Sequence, residues 1–376
     1  MTKSKIQMTK ISEKGGRMKK IKVFILFLII ISLFFTCKKG WQGRVYTENG
    51  IEVIENTGEG LWGKKIDEKI KFKETLSLGK EEGEDYLMFH SFIRVAVDPD
   101  LNIYVLDAMN HRLLKFDKNG NFIWKAGRKG QGPGEFQYPR GIAVNPPGEI
   151  VVIDERSIIL FNNRGEYQRT IKLDRSMRDI QFLPDGRLMI NIFVLGQPGV
   201  AAEFYSKDGE FLSKFPEEYR YGPKLSPRVG AAIGDSSFKF FNNKIYLSIP
   251  DKYEIREYDL KGNLLRKIRR NVKLKPPNIK IMAGGRGVSV FPSDNSGPCF
   301  LYKEKFLINK LTLVEKKGKD YESKSFLDFF NEKGQFLGSY PLPKSTYIQT
   351  IDHSGNFYFV KYEPYPQVIR SKLEIK

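Results

Sequence analysis

Residues 103–144 read IYVLDAMNHRLLKFDKNGNFIWKAGRKGQGPGEFQYPRGIAV and contain the clearest structural pattern of the chain. Its run HRLLKFD (111–117) is rich in β-formers and leads into the turn DKNGNF (117–122). Asn-Gly between apolar residues is a β-hairpin signal, because both residues tolerate positive φ angles. The stretch therefore predicts short antiparallel strands joined by tight turns.

Two kinds of turn recur along the chain. The first, DKNGNF, has later copies at 162–167, 206–211, 259–264 and 331–336. The second opens a β-rich run and occurs six times, at 97–105, 144–152, 183–191, 241–249, 303–310 and 352–360. Four short strands in about 44 residues are typical of one blade of a β-propeller. Six turns of the second kind predict six blades.

The two counts also predict how the ring closes. If strands a to d run from the axis outward, the second turn joins a to b and the first joins c to d. Only five c–d turns occur, and the chain ends in a strand c near 366–375. We expect residues 72–79 to supply the missing strand d. The predicted fold is an all-β, six-bladed β-propeller over 51–376, closed by an N-terminal strand that completes the last blade.

The N-terminus predicts export. Residues 18–37 read MKKIKVFILFLIIISLFFTC, a basic start followed by 13 apolar-rich residues at 23–35. This stretch is short for a membrane span and fits the apolar core of a signal peptide. Cys37 then resembles the lipid-accepting cysteine of a bacterial lipobox. An uncleaved anchor and a plain secreted protein remain alternatives, and all three place the rest of the chain outside the cytoplasm.

These features divide the chain into segments and predict its cellular location. We interpret 1–17 as an extra leader or a misassigned start, 18–36 as a lipoprotein-type signal peptide and 37–50 as a tether. The expected location is the cell envelope, with the protein held to a membrane through its lipidated N-terminus.

The pattern within the opening stretch resembles the NHL repeat. A strand ends in Asp107, an Asn-His-Arg turn follows at 110–112, and a glycine-rich junction ends in Gly-Ile-Ala-Val at 141–144. With the leader, the whole chain is similar to six-bladed propeller lipoproteins of bacterial surfaces. In NHL repeats the residues matching Asp107 and Arg112 belong to the repeat itself, which implies structural roles. The resemblance implies no single activity, because propellers host binders, lyases and lactonases.

The charge and the cysteines exclude some classes of protein. The net charge is +19, and the first 36 residues contribute +7 of it, which leaves +12. The densest basic run, 266–280, predicts a solvated strand face or a surface for anionic lipid, acidic glycan or peptide. The leader argues against a nucleic-acid partner. Two cysteines are too few for a four-cysteine zinc site or a disulfide framework, and Cys299 is expected to be a buried thiol.

A propeller opens its d–a junctions and b–c loops on one face, around the mouth of the central channel, and this is where we expect a site. Arginines at the start of strand a and polar residues of the b–c loops should meet there. The candidates are Arg94, Arg140, Arg178, Asp107, His111, Asp154 and Asp251. Long connections at 216–236 and 271–298 could form a partial lid. The glycine-rich segment 127–136 lacks the Lys-Ser/Thr ending of a phosphate loop and is interpreted as a blade junction.

Two functions compete. Three arginines at one mouth suit an anionic ligand, unless each pairs with a neighbouring aspartate and only fixes a junction. We favour a monomeric binding module for an unidentified protein, peptide or glycan, with no cofactor or metal. The alternative is a metal-dependent, lactonase-like hydrolase or a lyase that uses His111 or channel carboxylates such as Asp107, Asp154 and Asp179.

Overall fold

The computed structural model describes residues 40–376 except 147, 174, 194–198, 221–237, 250–251, 276–277, 282–287, 292–293 and 319. Cys37 and the predicted signal peptide lie outside the described residues. All strands belong to the compact unit Gly43–Lys376. Within the described part, no helix is long and apolar enough to cross a membrane. The helical elements among the described residues are three short 3-10 turns, at Ile66–Glu68, Asp85–Leu87 and Ala108–Asn110.

The strands form an N-terminal group and six blades. The N-terminal strands are β1 (Gly43–Glu48), β2 (Ile51–Asn56) and β3 (Ile70–Leu78). Blade 1 is β4 (Ile93–Val97), β5 (Ile103–Asp107), β6 (Arg112–Phe116) and β7 (Phe122–Ala126). Blade 2 is β8 (Pro139–Val144), β9 (Ile150–Asp154), β10 (Ser157–Phe161) and β11 (Tyr167–Lys172). Blade 3 is β12 (Met177–Phe182), β13 (Leu188–Phe193), β14 (Gly199–Tyr205) and β15 (Phe211–Arg220).

The second half continues in the same order. Blade 4 contains β16 (Phe238–Phe241), β17 (Lys244–Ile249), β18 (Glu254–Tyr258) and β19 (Leu264–Arg270). The hairpin β20 (Asn278–Ile281) and β21 (Val288–Phe291) follows. Blade 5 is β22 (Asn295–Tyr302), β23 (Phe306–Lys317), β24 (Asp320–Phe330) and β25 (Phe336–Pro341). Blade 6 is β26 (Thr346–Ile351), β27 (Asn356–Lys361), β28 (Gln367–Ile375) and β3. The prediction of a six-bladed propeller is confirmed.

The c–d turns owe their shape to one local pattern. The Asp117 carboxylate accepts hydrogen bonds from the backbone N–H groups of Asn119 and Asn121, both at 2.8 Å. Gly120 between them has φ 88°, which side chains rarely tolerate. A Cβ on Gly120 would also lie 2.8 Å from the Leu76 side chain of β3, the outermost strand of the neighbouring blade. The turn glycine therefore sets both the hairpin and the close packing of blades.

The core lies in layers between neighbouring blades. The second strand of a blade is buried on both faces, so β5 and β9 read as continuous apolar runs, each ending in a buried aspartate. One layer joins blade 1 to blade 6 through Val105 and Phe116 on one side and Tyr358 and Val360 on the other. This packing makes each blade depend on both of its neighbours.

The ring closes through β3 and β28. These strands pair antiparallel, with Leu78 opposite Val368 and Ile70 opposite Ile375. The expected closing strand was 72–79, and the observed strand begins two residues earlier. Hydrogen bonding between the two chain ends removes an open seam from the ring.

A second N-terminal element was not predicted. β1 and β2 form a hairpin around Asn49 and Gly50, whose φ angles are 51° and 79°. β2 then pairs in parallel with β19, so blade 4 has six strands. The hairpin starts inside 37–50, the segment that the sequence suggested as a tether, because Asn-Gly favours a two-residue hairpin turn there.

The chain between β2 and β3 crosses blade 5. The backbone N–H of Trp62 donates to the Leu337 carbonyl at 2.7 Å, and the Trp62 ring packs against Phe306 and Phe329. Residues 43–78 thus contact three consecutive blades, and we name them the N-terminal belt.

Asn56 fixes this belt at the boundary between blades 4 and 5. Its side chain donates to the carbonyls of Arg269 and Gly334, both at 3.0 Å, and accepts from the N–H of Phe336 at 2.7 Å. Asn56 has no exposed surface. Its amide therefore replaces hydrogen bonds that water would otherwise make to these backbone groups.

The first four cations of the basic run 266–280 are ion-paired. They form the pairs Arg266–Glu257 at 2.8 Å, Lys267–Glu48 at 2.7 Å, Arg269–Glu254 at 2.6 Å and Arg270–Asp328 at 2.6 Å. This part of the run was predicted to be a solvated face or a surface for anions, and that prediction is wrong. Its partners come from the N-terminal hairpin and from neighbouring strands, which the local sequence does not reveal.

Candidate functional site

The inner strands of the blades enclose a cavity of about 1400 Å³. At one end it is lined by junction and b–c loop residues, among them Tyr138 and His111, and we call this end the mouth. At the other end it reaches Val97 and Val144, the last residues of β4 and β8. Ligand pockets for small molecules are commonly 300–1,000 Å³. This volume therefore suits a larger or extended ligand.

Two of the predicted arginines are presented by β-bulges. The register of β8 against β9 shifts between Pro139 and Gly141, so Arg140 is the extra residue. The register of β12 against β13 shifts between Met177 and Asp179, which makes Arg178 the extra residue there. A bulge re-aims a side chain away from the regular alternation of a strand. Both arginines line the cavity.

The described lining of the cavity is strongly cationic. Its basic side chains are Arg94, Lys129, Arg140, Arg178, Lys239 and Lys310, and its one acidic side chain is Asp179. Asp179 pairs with Lys239 at 2.6 Å. Exposed Arg140 makes no hydrogen bond or ion pair with the described part of the chain, and Arg94 donates to the Ile93 carbonyl at 3.2 Å. An excess of one charge in a concave site concentrates ions of the opposite charge.

Apolar side chains stand around the same mouth. They are Phe92 with 62% of its surface exposed, Tyr138 with 61%, Met109 with 51% and Tyr347 with 36%. All four belong to blades 6, 1 and 2 or to the junctions between them. The mouth therefore has an apolar sector beside its cations.

The predicted carboxylate Asp107 holds the structure of blade 1. It is fully buried and accepts hydrogen bonds from Arg112 at 2.9 Å, Asn110 at 2.8 Å and the His90 N–H at 3.1 Å. These partners use both carboxylate oxygens. The pairing matches the structural role that the NHL resemblance implied for Asp107 and Arg112.

Asp154 plays the equivalent part in blade 2. Its two oxygens accept the backbone N–H groups of Gln137 at 2.8 Å and Tyr138 at 2.5 Å. Burial raises the pKa of Asp154 above its ordinary value, against the opposing effect of these amide hydrogen bonds. The carboxylate therefore fixes the junction that carries Tyr138 and Arg140.

The channel carboxylates do not assemble into a metal site in the described part of the chain. No group of three or more His, Cys, Asp or Glu residues is placed to hold a metal ion among the residues described. Asp107 and Asp154 are engaged as above, and Asp179 faces Lys239. Asp251 lies outside the described residues. The described carboxylates therefore give no support to the metal-dependent, lactonase-like alternative.

His111 lines the mouth but is tied to its neighbour blade. Its Nε2 lies 3.1 Å from the Gln137 carbonyl oxygen, and its backbone has φ 53°. The ring thus joins the b–c loop of blade 1 to the junction leading into blade 2. This contact explains the histidine as a positioning residue of the mouth.

The glycine-rich junction 127–136 is filled by its own carboxylate. Glu135 accepts from the Gly132 N–H at 2.8 Å and pairs with Arg128 at 2.7 Å. A Cβ on Gly130 would lie 1.9 Å from a Glu135 carboxylate oxygen. The glycines therefore make room for Glu135, which agrees with the interpretation of this segment as a junction.

The suggested lid is described only in part. Most of 216–236 lies outside the described residues, whereas 271–298 contains the hairpin β20–β21. The Asp294 carboxylate accepts the N–H groups of Lys275 at 2.8 Å and Val314 at 2.6 Å, which ties this connection to β23. Cys299, at the start of blade 5, is buried as expected, and burial raises the pKa of its thiol to about 11.

The sequence analysis missed several mouth residues. Lys239 and Lys310 come from blades 4 and 5, where the NHL pattern has faded, so no motif indicated them. The exposed rings of Phe92 and Tyr138 had a visible signal, because each stands two residues before an arginine already singled out.

Comparison with known protein families identifies the family of this propeller. A family described as "DUF5128: 6-bladed beta-propeller" matches residues 84–276, which is just over half of the chain. The chain belongs to the DUF5128 family. This DUF5128 protein therefore shares its fold with other members through blades 1 to 4.

Curated relatives of the DUF5128 protein contain NHL repeats. NHL repeat-containing protein 3 of Homo sapiens is 23% identical over 207 residues, covering 48% of this chain and 57% of the relative. The Mus musculus protein of the same name is 23% identical over 176 residues, covering 40% and 51%. The chain thus spans about half the length of the curated relatives it matches. The NHL-like character of the blades is confirmed.

Two solved structures share the fold. A Bacteroides fragilis protein, which its name describes as exported, has a TM-score of 0.56 at 11% identity over 86% of this chain and 99% of its own. A duf4221 family member of Bacteroides vulgatus has a TM-score of 0.57 at 10% identity over 82% and 99%. At such identities these similarities show the fold alone.

Proposed function

We propose that the DUF5128 protein is an exported, membrane-tethered binding module that holds an anionic ligand at the mouth of its channel. The observation that carries the proposal is the pair of β-bulges that turn Arg140 and Arg178 into a cavity with one acidic side chain in its described lining. Guanidinium groups bind carboxylates and phosphates through two parallel hydrogen bonds.

The cavity makes such contacts more favourable than they would be on an open surface. Its walls are the apolar inner strands, so an entering anion meets the cations in a region of reduced dielectric constant. Lys310 of blade 5 also lines the cavity, whereas Lys239 of blade 4 is paired there with Asp179. The affinity should fall with added salt, because counterions screen charges at the open mouth.

The cellular location of the protein is also part of the proposal. The basic start and apolar stretch of 18–36, followed by Cys37, support export and lipidation. The fold is shared with a Bacteroides fragilis protein described by its name as exported. A tethered module of this kind would present its mouth to ligands outside the cytoplasm.

Calorimetry with a hexaglutamate peptide tests the anion site. The full chain should bind the peptide at low salt and at least about tenfold more weakly when Arg140→Gln and Arg178→Gln are combined. Arg164→Gln is the matched control, because Arg164 is exposed on a c–d turn of blade 2, away from the cavity. Equal binding by the double variant and the wild type would contradict the proposal.

Intact mass spectrometry of protein purified from its native membrane tests the proposed cleavage and lipidation at Cys37. We expect a mass that corresponds to cleavage before Cys37 with added acyl chains. An unmodified chain of 43.4 kDa would show that the leader is retained and Cys37 is free.

A further inference from the structure

One short motif occurs twice at the mouth, on adjacent blades. Phe92-Ile93-Arg94 leads into β4 and Tyr138-Pro139-Arg140 leads into β8. In each copy the ring is more than half exposed, and both ring and arginine line the cavity. The two blades therefore present the same combination of an aromatic surface and a guanidinium group.

The exposure of these rings is not a by-product of packing. Phe92 has φ 62°, a conformation that is unfavourable for an aromatic residue. Its carbonyl is held by the Ala108 N–H at 3.3 Å, but its ring gains little burial in return. In the second copy, Asp154 fixes the backbone of Tyr138 while the Tyr138 ring stays in solvent. Both junctions thus fix the backbone of a residue whose aromatic ring lies exposed at the rim of the cavity.

The remaining lining gives the mouth two unlike sectors. Met109 extends the apolar sector on blade 1, and Tyr347 extends it on blade 6. Arg178 and Lys239 continue the cationic sector on blades 3 and 4. An occupant that satisfies both must be extended and must carry apolar groups and negative charges in one molecule.

We propose that the mouth binds an acidic peptide segment with aromatic or aliphatic side chains between its carboxylates, an inference that rests on the function proposed above. Aromatic residues, methionine and arginine are enriched at protein–protein contacts. The thioether of Met109 and the ring of Phe92 offer no polar atom to a hydroxyl-rich sugar, and both suit apolar side chains. The two Arg-bearing motifs would pair with carboxylates on either side of such a side chain.

Fluorescence anisotropy with three labelled peptides tests the two halves of this recognition. The probe EFDELD carries both kinds of group, EADEAD keeps only its charges, and QFNQLN keeps only its apolar side chains. We expect the full chain to bind EFDELD at least about tenfold more tightly than either control, because hot spots at interfaces combine buried rings with paired charges.

Variants that remove the two aromatic rings test whether the tighter binding of EFDELD depends on the repeated aromatic–arginine motif. Phe92→Asn keeps a residue that tolerates the left-handed backbone, and Tyr138→Ala keeps the N–H that Asp154 binds. Together they should weaken EFDELD about tenfold and leave EADEAD unchanged. Phe211→Ala, which removes a half-exposed ring from the outer strand of blade 3, is the control for folding and should leave both affinities unchanged.

The outcomes separate this inference from the function on which it rests. If EADEAD binds as tightly as EFDELD and the arginine variants weaken both, the anion site stands and peptide recognition is wrong. If a galacturonate oligomer binds more tightly than EFDELD, the ligand is a glycan and the inference is overturned. If Arg140→Gln and Arg178→Gln leave every probe unaffected, the proposed function itself fails.

Discussion

The outer side of blade 4 and the channel mouth both carry several cations, but they use them differently. On blade 4, Lys267 and Arg269 are paired with Glu48 and Glu254, and the ion pairs attach the N-terminal hairpin to the ring. At the mouth, six basic side chains share a described lining with the single carboxylate of Asp179. Basic residues stand closer together in the sequence on blade 4, at 266–270, than they do among the residues that line the mouth. The cations of blade 4 therefore join one part of the chain to another, whereas the cations of the mouth line a cavity.

Backbone geometry differs in the same way. The strand β19 keeps a regular parallel register with β2 from Arg266 to Arg270, and its bulge against β18, at Leu265, lies before these paired cations. The inner strands β8 and β12 are interrupted by bulges at Arg140 and Arg178. Regular pairing stabilises the ring, whereas the bulges give up ladder hydrogen bonds at the site where side chains are needed in the cavity.

The strongest test of the paired region is Arg270→Met. This change leaves the fully buried Asp328 carboxylate with hydrogen bonds from Tyr253 and Ser339 but without its cation. Removing one partner of a buried ion pair should lower the free energy of unfolding by about 3 kcal/mol, as measured by urea denaturation. Arg164→Met is the exposed control. A loss below about 1 kcal/mol would mean that the neutral hydrogen bonds suffice.

Asn56→Ala tests the belt and should have the next largest effect. The buried N–H of Phe336 and the carbonyls of Arg269 and Gly334 lose a partner. We expect the free energy of unfolding to fall by about 2 kcal/mol. Asn119→Ala, at an exposed turn position, should change it little. Equal stability of the two variants would show that water replaces the Asn56 amide.

Arg140→Gln should show the opposite pattern at the mouth. Because Arg140 is exposed and unpaired among the described residues, its removal should change the free energy of unfolding by less than about 0.5 kcal/mol. The affinity of the Arg140→Gln protein for an acidic peptide should nevertheless be lower than that of the wild type. Loss of stability without loss of affinity would place Arg140 with the structural cations and erase the contrast between the two regions.

Glu48→Gln gives the smallest effect and one that depends on pH. Hydrogen bonds from Lys267 and Arg269 hold the pKa of Glu48 at about 2, below the 4.5 of an unperturbed glutamate. The stabilisation is therefore present above pH 4.5 and is lost as the pH falls toward 2. The difference in melting temperature between wild type and Glu48→Gln should shrink from pH 7 to pH 3. Glu81→Gln, at an exposed position without an ion pair in the described chain, controls for the lost charge; a difference independent of pH would refute the assignment.

The sequence predicted what is local and repeated. The six a–b turns predicted six blades, and the missing c–d turn located the closing strand near 72–79. The Asn49-Gly50 dipeptide is itself a hairpin signal, but it lies in the segment 37–50, which the sequence analysis interpreted as a tether. The ion pairs of 266–270 could not be predicted, because a partner such as Glu48 lies 219 residues away from Lys267.

The bulges were hidden for a different reason. A bulge adds one residue inside a strand and leaves the turn residues on either side unchanged. The turn glycines are already unevenly spaced, 44 residues apart from Gly165 to Gly209 and 72 apart from Gly262 to Gly334, so one extra residue is not recognisable. The arginines were found from their position at the start of strand a, but the geometry that turns Arg140 and Arg178 into the cavity appears only in the strand register.

The N-terminal belt also sets the order in which the protein can fold. Its contacts join Asn56 to a carbonyl 213 residues later and Thr75 to one 295 residues later. During synthesis, the belt emerges before any of these partners, with apolar residues such as Ile54 and Ile70 uncovered. Pairings this distant in sequence form slowly, and strands that wait for them are exposed to aggregation and proteolysis. The first part of the propeller to be made is consequently among the last to reach its final place.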